Sequence, residues 1–280
     1  MRTEDIPGGL RLCRASGWNH VAHDWELFLA SSPDGCRVAV DESDNVIGSV
    51  ATIRYGDAFA WIGMVQVDPL WRGAGIGTGL LKASLDILHD VPVARLDATP
   101  AGRPVYVHSG FIEEYGLQRM QCPAAGTAKF EKGAVPLFGP EPMSEVDLRE
   151  VSREDRRAFG ADREVLLHAF RRNAPEYAWV IRGGAGIDGY VFGRKGYAFE
   201  HIGPLVARDD AAAGALVAAC LSARPDRPFI IDVPLREPWV AWLSANHFSV
   251  QRSFIRMARG ERRFRDGLDN MFAIAGPEFG

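Results

Sequence analysis

The sequence lacks what a disulfide framework, a zinc ribbon or a membrane span would need. Its 280 residues hold four cysteines, Cys13, Cys36, Cys122 and Cys220, far apart and without a Cys-x-x-Cys pair. Such spacing fits small buried hydrophobes in a reducing compartment, so neither cross-links nor a metal site is expected. The longest apolar run, near Ala211–Leu221, is too short to cross a bilayer. The start, Met1-Arg2-Thr3-Glu4-Asp5, is acidic and has no apolar core, so no signal peptide is expected and the cytoplasm is the expected location. An excess of basic residues is also missing. With 36 acidic against 32 basic residues the formal charge is −4, which argues against a non-specific nucleic-acid binder. What remains is ordinary for a globular protein, 47% hydrophobic and 24% charged, with a length that suggests two domains.

Prolines and glycines concentrate in one place. Residues 123–143 carry Pro123, Gly126, Gly133, Pro136, Gly139, Pro140 and Pro142, a density that supports neither helix nor strand. Read as a linker, this stretch separates a domain over 1–122 from one over 144–280. The halves are related. A shift of 140 lays Phe59–Val67 on Phe199–Ala207, with Phe, Ile and Gly coinciding, and also brings Ile47 onto Ile187. A shift of 137 lays Phe111 on Phe248 and Arg119-Met120 on Arg256-Met257. The chain thus reads as a diverged tandem repeat.

In the first repeat, helical spacing is read at Trp18, Val21, Ala22, Trp25, Phe28 and Leu29, with Asn19, His20, His23 and Glu26 on the other face. Strands are expected at Cys36–Val40, Val46–Tyr55, Phe59–Val67, Val93–Ala98 and Phe111–Met120. Helices are expected from Gly75 and before Gly110. Such an order implies an α/β (α+β) class, with a mixed, partly parallel twisted sheet flanked by helices in each half.

One segment carries chemistry. In Val65-Gln66-Val67-Asp68-Pro69-Leu70-Trp71-Arg72-Gly73-Ala74-Gly75-Ile76-Gly77-Thr78 a strand ends at a proline and a glycine-rich turn opens a helix. Glycines allow close backbone approach, and the first helical turn supplies unpaired N–H donors and the positive end of the dipole, a setting for a diphosphate. A P-loop needs GxxxxGK[ST], which is absent, and a dinucleotide fingerprint from Gly73 fails at Thr78. The spacing present is Arg-x-x-Gly-x-Gly, at Arg72, Gly75 and Gly77.

This motif, with its strand and proline, resembles the coenzyme A motif of the GNAT N-acetyltransferase superfamily. Tyr106-Val107-His108-Ser109-Gly110-Phe111 is similar to the family's Tyr-x-x-x-Gly-Phe. The resemblance implies two GNAT-like domains and acetyl-CoA as cosubstrate. It also implies transfer of acetyl to a primary amine of a small molecule, by direct attack in a ternary complex. By the same resemblance the Val65 N–H stabilises the oxyanion, Val65, Gln66 and Val67 pair with the pantetheine, and Arg72 with Gly73, Ala74, Gly75, Ile76, Gly77 and Thr78 cradles the diphosphate. Tyr106 protonates the departing thiolate, a task suited to a group neutral at pH 7. Where the family often has Asn seven residues before that Tyr, Thr99 stands here, a cofactor-contact candidate. Protein lysine or N-terminal acetylation and a non-enzymatic coenzyme A sensor or interaction module are the alternatives, and the chain is expected to be a monomer or homodimer.

The glutamate that some members place four residues before the Val65 position is Trp61, which cannot act as a base. His20, His23, Asp24, Glu26, Asp57 or a water chain are left as candidates, with a solvated helix face as the simpler reading for both histidines. Carried through the shift of 140, Arg72, Gly75 and Gly77 fall on Ala212, Ala215 and Val217, and Tyr106 aligned through the Phe pair falls on Leu243. The second repeat therefore loses both the cofactor grip and the proton donor. Asp97 and Asp232 are expected at equivalent strand ends, and His201, in the place of Trp61, either lines the space between the repeats or simply packs. The arginines over 149–172 and 252–265 are interspersed with acids and read as solvated surface.

Overall fold

A computed structural model describes residues 1–124, 139–184, 186–260 and 267–280. In the first half the strands are β1 (Arg37–Val40), β2 (Val46–Tyr55), β3 (Phe59–Val67), β4 (Val93–Ala98) and β5 (Ile112–Cys122). Its helices are α1 (Ile6–Ala15), α2 (Ala22–Ser31), α3 (Ile76–Ile87) and α4 (Arg103–His108). The second half has strands β6 (Glu141–Pro142), β7 (Trp179–Gly183), β8 (Gly186–Arg194), β9 (Glu200–Ala207), β10 (Phe229–Pro234), β11 (Ser249–Gly260) and β12 (Met271–Ala273). Helices α5 (Leu148–Phe159), α6 (Glu164–Asn173), α7 (Asp210–Ala223) and α8 (Glu237–Ala245) accompany them. The repeat seen in sequence is a repeat in space: β2, β3, α3, β4, α4 and β5 recur as β8, β9, α7, β10, α8 and β11.

Several details depart from the sequence expectations. Helix α1, which the sequence reading did not include, contains Pro7-Gly8-Gly9. Pro7 sits in the first turn, where its missing N–H costs nothing. A Cβ on Gly8 would lie 2.7 Å from the Val46 Cβ, and one on Gly9 would lie 2.9 Å from the Trp25 ring. The two glycines therefore let α1 lie close against β2 and α2. Trp18 through Val21 precede α2 rather than belonging to it. His20 is consequently buried, not solvated. Most of the linker, 125–138, lies outside the described residues, but Glu141 and Pro142 at its end pair with β7 as an edge strand, where proline is tolerated.

Among the described residues twelve strands form one sheet, in the order β1-β2-β3-β4-β11-β5-β10-β9-β8-β7-β6, with β12 beside β9. Pairing is antiparallel except for β3 with β4 and β9 with β10. The order shows an exchange. Strand β11, from the second half, lies between β4 and β5 of the first, and β5 in turn pairs with β10.

The exchange is locked by two reciprocal ion pairs between repeat-equivalent residues. Arg119 on β5 grips Asp232 on β10 through two bonds of 2.8 and 2.7 Å. Arg256 on β11 grips Asp97 on β4 through two bonds of 2.8 and 2.9 Å. Both are buried and bidentate, the geometry in which a guanidinium recovers most of its desolvation cost. Asp97 and Asp232 thus do occupy equivalent places. Arg256, and also Arg163, which is bound to Asp155 at 2.8 and 2.9 Å, correct the reading of those arginine runs as solvated surface.

The C-terminal segment crosses back from β12 onto the first half. The Trp61 indole donates to the Pro277 carbonyl at 2.9 Å, the Tyr55 hydroxyl donates to the Phe279 carbonyl at 2.6 Å, and Phe279 stacks on Phe28 at 4.7 Å. A Cβ on Gly63 would meet the Glu278 carbonyl at 2.8 Å, and one on the repeat-equivalent Gly203 would meet the Ile274 carbonyl at 2.0 Å. Both coincident glycines are explained by the passage of this one segment.

Candidate active site

The site begins where β3 leaves its neighbours. Strand β4 pairs with β3 only at Ala60 and Trp61, so the edge of β3 from Ile62 onward faces an open wedge. On the other edge the β2 register skips from Ser49–Gln66 to Ala51–Gly63, leaving Met64 and Val65 as a bulge. Met64 carries a φ of +56, a left-handed conformation that a side-chain-bearing residue adopts at a cost of roughly 1–2 kcal/mol. Burial of the Met64 side chain and a 2.9 Å bond from the Ser49 hydroxyl to the Met64 carbonyl hold it there.

Beyond β3 the chain turns through Pro69–Trp71 into α3. The Asp68 carboxylate accepts from the Leu70 N–H at 3.1 Å and from Arg11 of α1 at 2.6 Å, which fixes the turn. Gly73 and Gly75 have φ of +85 and +80, and a Cβ on either would meet nothing. The glycines are thus required by conformation, and the space above them is open. Gly75 caps α3 with no side-chain bond. The first N–H groups of that helix therefore remain as donors beside the positive end of its dipole. Arg72 is exposed and donates to the Val67 carbonyl at 3.3 Å, while Gly73 through Gly75 and Thr78 are exposed and Ile76 is partly buried. The Gln66 side chain turns away into the core, where it donates to the Cys13 sulfur at 3.3 Å, so only its backbone faces outward chemistry.

A cavity of about 160 Å³ occupies the wedge, and its wall joins Val65, Gly77, Thr99 and Tyr106 with residues of the second half. The Thr99 hydroxyl accepts from the Gly102 N–H at 3.2 Å, at the start of the turn into α4. Tyr106 packs edge-on against Phe111 at 6.0 Å, and burial pushes its hydroxyl up to about 12, so it stays protonated at neutral pH.

The far wall comes from elements that sequence reasoning did not assign to the site: Arg252 and Phe254 of β11, with Pro277 and Glu278 of the C-terminal segment. The displaced Phe and Arg-Met pairs at a shift of 137 were the only trace of β11, and they carried no sign of the exchange. Behind the wall runs a buried polar network. Glu278 accepts from Arg194, which also donates 2.7 Å to Asp24, 2.8 Å to His201 Nδ1 and 2.9 Å to the Ala275 carbonyl. That donation puts the proton of neutral His201 on Nε2, 3.0 Å from Asp232. His201 does line the space between the halves, and burial lowers its pKa.

Of the candidate bases, only His20 reaches the cavity. Burial disfavours its charge, but Glu278, 3.5 Å away, and Cys13 outweigh it and lift its pKa to about 10. Burial likewise opposes ionisation of Glu278, yet Arg194 and His20 hold its carboxyl well below the usual range. Asp24 caps α2 at the Val21 N–H and binds Arg194, His23 bonds exposed Glu26 and also Asn173, and Asp57 lies in the β2–β3 turn at the other end of β3. Asn19 clamps the other half instead, donating 2.8 Å to the Phe199 carbonyl and accepting from the Ala198 and Phe199 N–H groups.

The second repeat differs at the equivalent helix start, and the shift of 140 misplaces it. Helix α7 begins at Asp210, so the residue equivalent to Gly75 is Asp209, not Ala215. Its carboxylate accepts from the Ala212 N–H at 2.9 Å and fills the position an anionic ligand would take. Leu243 does take the place of Tyr106, buried in the core. Both Phe111 and Phe248 donate their N–H at 3.0 Å to the residue five positions earlier.

Comparison with known proteins agrees with this geometry. A GNAT acetyltransferase family model matches residues 11–111, and a GNAT acetyltransferase domain model matches residues 151–273. The chain is 26% identical to a holothin acyltransferase from Pseudoalteromonas sp. (strain SANK 73390) over 79% of its own length and 72% of that protein. A putative acetyltransferase from Pyrococcus horikoshii superposes with a TM-score of 0.81 at 23% identity, covering 100% of this chain and 94% of that one. A tandem GNAT protein from the clavulanic acid biosynthesis pathway superposes with a TM-score of 0.62 at 14% identity, covering 93% and 96%. The chain belongs to the GNAT acyltransferases, with one GNAT domain in each half.

Proposed function

We propose that the first half transfers an acetyl group from acetyl-CoA to a primary amine of a small molecule, which attacks directly while both substrates are bound. The observation that carries this reading is the cavity of about 160 Å³ that joins Val65, Gly77 and Tyr106 and is walled by the second half. The free donors at the start of α3, with open space over Gly73 and Gly75, fit a diphosphate, and the unpaired edge of β3 fits an extended pantetheine. When bound, acetyl-CoA supplies the activated thioester.

The chain's residues then divide the work. The Val65 N–H, outside the β ladder, stabilises the oxyanion, a role in which loss of one donor typically costs about 3 kcal/mol. Tyr106 gives its proton to the leaving sulfur. Its pKa of about 12 does not forbid this, because the burial that raises it would raise a thiolate held in the same wedge. His20 is protonated at neutral pH and Asp24 is tied to Arg194, so the amine proton leaves through water in the cleft.

Acylation of a protein lysine is less favoured, since Arg252, Phe254, Pro277 and Glu278 of the second half wall the wedge that a polypeptide would have to enter. The holothin acyltransferase relative supports a small acceptor. The test is a screen of amines with acetyl-CoA, following thiol release. Saturable release with a small amine supports the reading. Acetyl-CoA binding without turnover, or turnover of peptides alone, refutes it.

A further inference from the structure

We infer that the acceptor amine carries a carboxylate, and that Arg252 binds it. This rests on the acetyltransferase reading above. The charges around the cavity cancel in pairs with one exception. Asp97 faces Arg256, Arg119 faces Asp232, and Glu278 faces Arg194 and His20. Arg252 lines the same cavity half-buried, and no described residue gives its guanidinium an ion pair or a hydrogen bond.

Its position is set by the exchanged strand. The β11–β5 register skips between Val250 and Arg252, so Arg252 stands opposite Arg119, whose own charge is spent on Asp232. Burial and the Arg119 charge lower the Arg252 pKa, and the Asp232 carboxylate, already bound by Arg119, offsets them only in part. Arg256, four residues on, shows the satisfied alternative, a bidentate carboxylate. A guanidinium partly removed from water and unpaired is costly, and a planar carboxylate is the partner its fork fits.

The rest of the wall describes the remainder of the molecule. Trp18 and Phe254 offer apolar surface, and the bulge at Met64 and Val65 lies where acyl transfer would occur. The acceptor is therefore an amine with an apolar, preferably aromatic, middle and a carboxylate distant from the nitrogen.

The test compares paired amines in the full-length protein: 4-(aminomethyl)benzoate with 4-(aminomethyl)benzamide, and 4-(2-aminoethyl)benzoate with 4-(2-aminoethyl)benzamide. Each is measured for kcat and KM at saturating acetyl-CoA, and for binding by calorimetry. The carboxylates should show a kcat/KM roughly 10- to 100-fold higher than their amides, the usual worth of a charged hydrogen bond. Arg252→Gln should erase that preference through KM, leaving the Kd for coenzyme A unchanged. Arg252→Lys should retain part of it. Equal use of acid and amide by the native protein, absence of binding by any carboxylate, or a preference that survives Arg252→Gln overturns the inference. Weaker coenzyme A binding in Arg252→Gln also overturns it, by assigning the cation to the cofactor. Good turnover of amides alone refutes only this inference, whereas failure to bind acetyl-CoA refutes the reading beneath it.

Discussion

Gly75→Asp offers the sharpest test of the cofactor grip, because the protein has already made the change once. At the start of α7 the equivalent residue is Asp209, whose carboxylate accepts from the Ala212 N–H at 2.9 Å. Placing aspartate at the start of α3 would set a carboxylate at the equivalent position of the first half, on a left-handed rather than an extended backbone. The backbone there has φ +80 and ψ 0, and a new Cβ meets no atom within 4 Å. The cost to folding is then the left-handed strain alone, about 1 kcal/mol and less for aspartate than for most residues. The cost to binding is larger. A unit charge roughly 5 Å from a doubly charged diphosphate opposes it by about 2 kcal/mol even at the dielectric of water. Coenzyme A affinity should fall by at least about 20-fold in Gly75→Asp, while Gly75→Ala, with similar strain and no charge, should lose about threefold or less. Calorimetric titration of both variants, with circular dichroism as the folding control, decides it. A folded aspartate variant that binds like the native protein would show that the diphosphate does not sit at α3.

Other consequences follow from the same geometry. Tyr106→Phe should keep its affinity for acetyl-CoA while kcat falls by roughly 100- to 10,000-fold, as for loss of a general acid, and steady-state thiol release read beside calorimetry separates the two. Arg119→Gln leaves Asp232 buried and ionised without its main partner, so about 3–5 kcal/mol of stability should be lost in a denaturant titration. Arg119→Gln with Asp232→Asn should recover much of it, and additive losses would argue against the pair. The raised pKa of His20 gives a pH signature. Its contribution is complete below its unfolded value near 6.5 and is lost as pH rises towards about 10, with a slope approaching about 1.4 kcal/mol per pH unit. His20→Gln should flatten that limb of stability against pH, and an unchanged limb would assign it elsewhere. At the acid end Asp232, with burial outweighed by Arg119 and His201, is held at about 2, so its contribution should persist above pH 4 and disappear as pH falls through 2.

Much of the first half could be read from local pattern. Strands β2, β3 and β4 fall at the expected residues, because alternating and β-branched runs there meet clear turns. The loop at Arg72–Thr78 was legible because glycine at positive φ leaves a mark in sequence. Helix α1 was not, since its glycines serve close packing against Val46 and Trp25, which only the partner elements reveal. The register of the second repeat was misjudged at α7 for a similar reason. A shift fixed on β3 and β9 ignores that the connection to the helix is six residues shorter there, and Asp209 shows its role only once the helix start is known.

The strand exchange was beyond local pattern altogether, and it decides what kind of site this is. Period and propensity say that β5 and β11 are strands, but not which edge each will join, because repeat-equivalent strands present similar edges to similar neighbours. The choice is visible in the crossed pairs Arg119–Asp232 and Arg256–Asp97, where each half supplies the guanidinium for the carboxylate of the other. Once β11 is held against β4 by Arg256, Arg252 and Phe254 on the same strand are brought over the wedge at the end of β3. The segment after β12 then has only to cross Gly63 to deliver Glu278 beside His20. A second repeat whose α7 starts at the Asp209 cap therefore still shapes the site, by forming the wall against which an acceptor would be held.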